Sequence, residues 1–276
     1  MKNKFRPIPA HVAGIAILTI AAIVFFIQPA AAAVIAFLYI VLCVAASFFP
    51  ATNFFGSVIS RGGTGENLVA LTFDDGPAEP TTRHILDLLD KYSMPATFFV
   101  TGSNAARHPV LIREIIARGH TIGNHSFHHD PFLMLKSSAK IFREISSAQD
   151  TLQKTGVQTI AFRPPVGIVN PKLMQILEKM QLKCITFSCR AADAGNRRVK
   201  DISRKILEKV KADDIILLHD VPPQRQEDQK ILIAEIESLL AGLAGKGLAV
   251  APLAVLIGME VNKTRLKRTP RFLPRQ

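Results

Sequence analysis

The chain opens on an almost uncharged apolar stretch, residues 10–50, which is too long for one membrane span, since about 20 residues at 1.5 Å each cross a bilayer core. Gln28-Pro29 interrupts it near the middle, so residues 10–27 and 31–49 predict two transmembrane helices folded as a tight hairpin. A cleaved signal peptide would suit Lys2, Lys4 and Arg6 ahead of the first half, but it would not need the second. Further on the pattern changes. Short apolar runs rich in β-formers predict strands at residues 68–73, 96–101, 120–124, 160–163, 183–188, 214–219 and 249–253. Between them a 3.6-residue period predicts helices at 82–92, 109–118, 136–154, 171–180, 200–211 and 229–245. In the first of these, Ile85, Leu86, Leu88 and Leu89 share the inward face. Strands alternating with helices imply an α/β fold with a parallel sheet, and about seven such units predict a distorted (β/α) barrel whose chemistry gathers at the carboxyl ends of its strands.

Four segments follow from this pattern: a membrane anchor of two transmembrane helices (1–50), a glycine-rich linker (51–66) with Gly56, Gly62, Gly63 and Gly65, one α/β domain (67–258), and a basic tail (259–276). The net charge of +12 is concentrated at the ends. Lys2, Lys4 and Arg6 supply +3, and Lys263, Arg265, Lys267, Arg268, Arg271 and Arg275 supply +6, leaving +3 for everything between. Terminal basicity without a basic face interleaved with aromatics favours a membrane lipid partner and argues against nucleic acid. The positive-inside rule places the amino terminus in the cytoplasm, and two spans return the chain there. Cys43, Cys184 and Cys189 form no disulfide framework: the first lies in the apolar stretch, and the other two differ in parity on or near one predicted strand.

Three distant clusters carry candidate chemistry: Asp74-Asp75 within Thr72-Phe73-Asp74-Asp75-Gly76-Pro77, His125 and His129 within His125-Ser126-Phe127-His128-His129, and His219 at the end of an apolar run. Taken singly, each has a plainer explanation, such as a turn for Asp-Asp-Gly-Pro or a strand-end residue for His219. Taken together, two histidines and one carboxylate offer three N/O ligands to a divalent metal that keeps a position open, while a second carboxylate and a third histidine remain for proton transfer. Hydrolysis of an amide needs that set. His120 reads as packing locally, and His128 has no assigned part.

In order along the chain, these clusters, Arg163-Pro164-Pro165-Val166-Gly167, Asp193 and Leu217-Leu218-His219 resemble the five motifs of the polysaccharide deacetylases that carry the NodB homology domain, carbohydrate esterase family 4, over about Asn67 to about Gly258. The resemblance implies Asp74 as catalytic base and Asp75, His125 and His129 as ligands of a divalent ion, zinc first, with cobalt, nickel or manganese as alternatives. It implies that Arg163 orients the base, that Asp193 pairs with His219 as general acid, and that Pro165, Val166 and Leu217 line the substrate site, with a backbone N–H near Val166 meeting the oxyanion.

The chain departs from the family pattern at Val166, where an aromatic is usual, and at Ala194, where tryptophan is usual; it has no tryptophan at all. Beyond Phe127, Phe132, Phe162 and Phe187 there is no platform for stacking a long glycan. The expectation is therefore an enzyme of the bacterial-type cell membrane that removes N-acetyl groups from an amino sugar, a short or lipid-linked saccharide rather than an extended polymer. A deformylase or O-deacetylase would use the same machinery. A non-catalytic glycan-binding anchor would need neither Asp74 nor His219. Most relatives implied by the resemblance act outside the membrane, so the side of the domain stays open.

Overall fold

The computed structural model describes residues 8–262; Lys2, Lys4, Arg6 and the basic residues from Lys263 onward lie outside the described residues. Two apolar helices come first, α1 (Pro9–Phe25) and α2 (Pro29–Ser47). The α/β part then runs β1 (Val58–Ile59), β2 (Leu68–Asp74), α3 (Thr81–Lys91), β3 (Ala96–Val100), α4 (Gly102–Arg107), α5 (Pro109–Ala117) and β4 (Thr121–Asn124). It continues with α6 (Ser138–Lys154), β5 (Ala161–Phe162), α7 (Pro171–Lys179), β6 (Lys183–Ile185), β7 (Cys189–Arg190) and α8 (Ile202–Leu207). The last elements are β8 (Ile215–His219), α9 (Asp228–Gly245), β9 (Ala249–Val250) and α10 (Leu253–Leu256).

All nine strands join one parallel sheet in the order β1-β6-β5-β4-β3-β2-β8-β7, with β9 on β2. Parallel strands covered on both faces need continuous apolar runs, and β2 and β3 are buried along nearly their whole length. Phe73 and Phe98 stack with ring centroids 5.1 Å apart, and Ile85, Leu86 and Leu89 of α3 pack into the same core. Helix starts are fixed locally: Thr101, Ser137 and Asn170 accept N–H groups at the first turns of α4, α6 and α7, and Pro171 opens α7.

The structure revises several expected elements. The strand expected at 183–188 stops at Ile185, and a separate strand begins at Cys189, because the N–H of Thr186 goes to the Ile59 carbonyl whereas that of Ser188, two residues on, goes to Ile215. The segment thus leaves one edge of the sheet and joins the other, and an Arg61–Asp214 bridge also spans the gap. This curls the nine-stranded sheet into an open half-barrel, where a distorted barrel of about seven strands was expected. The expected strand at 249–253 stops at Val250, and the chain turns through Pro252 into α10. Part of the expected linker is packed: Val58 and Ile59 pair with Cys184 and Ile185, and Phe55 and Val58 are buried. The three cysteines are free thiols.

Helices α1 and α2 pack along each other, with the Tyr39 hydroxyl donating to the Ala10 carbonyl (2.9 Å) over Gly14, where a Cβ would press on the tyrosine ring. Both outer ends attach to the α/β part. The Ala10 N–H donates to Phe54 O (3.0 Å), Val169 N–H donates to Ser47 O (3.1 Å), and Ala10 and Ala46 join an apolar cluster with Phe55, Val58 and Leu173. Ile15, Leu18, Ile23, Phe37, Leu38 and Ile40 are each more than half exposed. By length and composition α2 is long and apolar enough to cross a membrane; α1, with 17 residues, is shorter.

Candidate active site

Strand alternation separates the two adjacent aspartates. Thr72 and Asp74 face the same way on β2, whereas Asp75 lies one residue beyond the strand in the left-handed region (φ 76°), its carbonyl held by the Asn104 amide at 2.6 Å. Asp74 sits in register with His219 at the end of β8. His125 directly follows β4, Arg163 directly follows β5, and Asp193 comes shortly after β7. All six side chains therefore meet above the carboxyl edge of the sheet.

The expected ligands converge. Asp75 Oδ1 lies 3.4 Å from His125 Nε2 and 3.2 Å from His129 Nε2, and the three candidate donor atoms fall within 4.8 Å of one another. His125 Nδ1 is 2.8 Å from the Arg163 carbonyl; as a donor there, it leaves the Nε2 lone pair for a metal. Asp75 Oδ1 is buried without a hydrogen-bond partner, the condition of an atom that awaits a cation. Burial would raise the Asp75 pKa, but the facing His125, with the charges of His129 and His219, holds it well below the usual carboxylate range. Burial would lower that of His125, yet Asp74 and Asp75 together raise it. The site's electrostatics thus call for positive charge at this point, and the residues present fit a divalent ion.

On one side of this trio, Asp74 Oδ1 accepts a hydrogen bond from Arg163 Nη1 at 2.6 Å. The arginine is fully buried and also donates to Thr72 Oγ1 (2.8 Å), the Ile185 carbonyl (3.2 Å) and the Thr186 carbonyl (2.8 Å), with its guanidinium 3.9 Å above the Phe99 ring centroid. On the other side, His219 Nδ1 meets Asp193 Oδ2 at 2.7 Å, which leaves Nε2 4.0 Å from Asp75 Oδ2. Burial would lower the His219 pKa, but the Asp193 hydrogen bond and charge, joined by Asp75 and Asp74, push it up to about 9. Asn196 fixes this pair: its N–H donates to Asp193 Oδ2, and its amide donates to the carbonyls of His219 and Val221.

Of the residues expected to line a substrate, Val166 is half exposed in a tight turn (φ 53°) beside Arg163, whereas Pro165 is buried and Leu217, beside Thr72 on β8, is 6 % exposed. His120 packs locally, accepting from the Ala96 N–H. His128 has a part that its sequence position did not suggest: it braces the motif against buried Glu144, through both its N–H and its ring (2.9 Å each). Asp220 was also missed, although it directly follows His219. It is fully buried, accepts from the Gly76 N–H and the Thr82 hydroxyl, and lies so close to Gly76 that a Cβ there would overlap its carboxyl. Asp220 thereby holds the turn that carries Asp75.

Comparison with known proteins places this geometry. Residues 61–185 match the family model described as polysaccharide deacetylase. A chitooligosaccharide deacetylase of Bradyrhizobium is 30% identical over 202 residues, which cover 70% of this chain and 92% of the relative. The chain belongs to the polysaccharide deacetylase family. Another relative in this family, a peptidoglycan-N-acetylglucosamine deacetylase of Listeria monocytogenes, is 30% identical over 204 residues, 73% of this chain but 41% of that protein's length. A family 4 carbohydrate esterase from Streptomyces lividans, solved in complex with acetate, superposes with a TM-score of 0.59 at 31% identity, covering 67% of this chain and 91% of the esterase.

Two outcomes are expected. His125→Ala and His129→Ala should each lower bound metal sharply while leaving the circular dichroism spectrum nearly unchanged; metal content by elemental analysis that stays at the wild-type level in both would remove them as ligands. Burial pushes the Asp220 carboxyl up to about 7, with Thr82 and Gly76 opposing and Asp75 and Asp74 adding to the rise. A carboxyl whose pKa is raised by folding contributes most at low pH and loses that contribution as pH climbs from its unfolded value, about 4, through 7. In metal-free protein the thermal midpoint of the wild type should therefore fall relative to Asp220→Asn between pH 5 and 8. A difference that does not vary with pH would show that this carboxyl does not titrate there.

Proposed function

We propose that the chain is a membrane-anchored, metal-dependent hydrolase that removes the N-acetyl group from an amino sugar. The observation that carries this reading is the placement of Asp74 and His219 on either side of the Asp75–His125–His129 trio, each with its own orienting partner. A divalent ion held by Asp75, His125 and His129, zinc by ligand type, would polarise the acetyl carbonyl and make water a competent nucleophile near neutral pH. Asp74, fixed by Arg163, takes the proton from the attacking water. His219, oriented and kept protonated by Asp193, delivers a proton to the amine nitrogen as the carbon–nitrogen bond breaks. A backbone N–H at the Val166 turn supports the developing oxyanion in this scheme. Family relatives that deacetylate chitooligosaccharides or peptidoglycan support an amino-sugar substrate.

The membrane part of the proposal rests on the row of exposed apolar side chains along α1 and α2, with Phe26 and Ile27 at the connecting turn 87% and 84% exposed. An exposed apolar surface of this extent marks a contact with a membrane or another protein, and its length and continuity favour the membrane. Together the helices form a hairpin that crosses the membrane twice and holds the site at the lipid surface, on the cytoplasmic side by charge.

The purified full-length protein, loaded with zinc, should release acetate from N-acetylglucosamine oligomers or conjugates. Asp74→Asn and His219→Ala should keep their metal and lose about 10²- to 10⁴-fold in kcat, the usual contribution of placed acid and base groups. Near-normal turnover in either variant would exclude that residue from proton transfer. For the hairpin, single cysteines at Gln28 and Gly63, in a background without native cysteines, should react differently with an impermeant maleimide in intact cells: Gln28 labelled, Gly63 protected until lysis. Labelling of both from one side would disprove the crossing.

A further inference from the structure

A groove of about 400 Å³ opens where the end of α2 meets the wall of the active site. Phe48, Phe49 and Pro50 form one flank as a continuation of the apolar helix, and Val166 with Phe187 forms the other. Thr186 lines its floor, 1% exposed, with a hydroxyl that has no hydrogen-bond partner. The carbonyl of that residue accepts from Arg163, which also holds Asp74, so the groove floor is one side chain away from the proposed base. One cation faces this largely apolar space. Arg190 is exposed at its rim, and among the described residues its guanidinium is engaged only by the Phe187 ring, 5.4 Å away.

We infer that this groove binds the phosphate-bearing head of a lipid-linked amino sugar, a reading that builds on the membrane-anchored deacetylase proposed above. The sugar occupies the metal side with one hydroxyl on Thr186, the phosphate meets Arg190, and the hydrocarbon leaves past Phe48 and Phe49 along α2. Each element has a reason in the chemistry. A guanidinium with free donors on an apolar rim selects a phosphate, to which it can donate two parallel N–H bonds. A buried hydroxyl without a partner gains from a polar group on the ligand. Phe48 and Phe49, 60% and 64% exposed at the end of a membrane helix, offer an acyl or prenyl chain an apolar path out of the groove. The attachment of Ser47 to Val169 keeps this flank in place against the catalytic wall.

The test uses the full-length protein in nanodiscs and three probes: N-acetylglucosamine 1-phosphate esterified with dodecanol, dodecyl N-acetylglucosaminide without phosphate, and tri-N-acetylchitotriose. The phosphate-linked probe should show a KM about tenfold or more below the phosphate-free lipid. Arg190→Gln should remove most of that difference, and Arg143→Gln, a surface cation on α6, should not. Calorimetric binding of the same probes to Asp74→Asn should repeat the ranking without turnover, so that an absence of acetate release from every probe would count against the deacetylase reading while binding still decides the groove. Equal affinity for the three probes, or a phosphate preference that Arg190→Gln leaves unchanged, would overturn the assignment.

Discussion

The site depends on one buried charge. Arg163 is fully enclosed, and an unpaired guanidinium in such surroundings would cost several kcal/mol. Here its donors are met by Asp74 and Thr72 from β2 and by the carbonyls of Ile185 and Thr186, while its flat face rests on Phe99 of β3. Those partners come from the adjacent strands β2 and β3 on one side and from the end of β6, which is not their neighbour in the sheet, on the other, so the same contacts that satisfy the charge also draw the mouth of the half-barrel together. Its carbonyl accepts His125 Nδ1–H, which extends the constraint from the proposed base to a proposed ligand.

From that pairing follows the division of labour between two adjacent aspartates. Asp74 is tied to the arginine through Oδ1, which fits it for the proposed part of base and leaves Oδ2 3.6 Å from His125 Nε2. Asp75 is turned out of the strand by its left-handed backbone, with its carbonyl on Asn104 and its neighbour Gly76 braced by Asp220, and it faces two histidines. His219 completes the set from the adjacent strand, and Asp193 with Asn196 governs which nitrogen it presents. The proposed roles of Asp74, Asp75 and His219 are thus each set by a second residue.

Much of this was legible in the sequence because strands with buried faces leave continuous apolar runs, and β2, β3, β4 and β8 end within a residue or two of where those runs end. The residues at their carboxyl ends came with them. The bend that divides residues 183–188 was not legible: Lys-Cys-Ile-Thr-Phe-Ser keeps strand character throughout, and the change of partner depends on where β1 and β8 lie. Strand β1 was hidden for a related reason, since two residues in a glycine-rich segment carry no period. Asp220 was overlooked because a carboxylate beside a histidine gives no sign of burial, which here comes from Gly76 and Thr82, far away in sequence.

The central claim is that Asp75, His125 and His129, and not Asp74, hold the metal. Crystals of the zinc-loaded protein, measured on both sides of the zinc absorption edge, test it directly. The account predicts one strong anomalous peak about 2.0–2.2 Å from Asp75 Oδ1, His125 Nε2 and His129 Nε2, with Asp74 still on Arg163. A peak bound through Asp74, or no peak among these side chains, would contradict it.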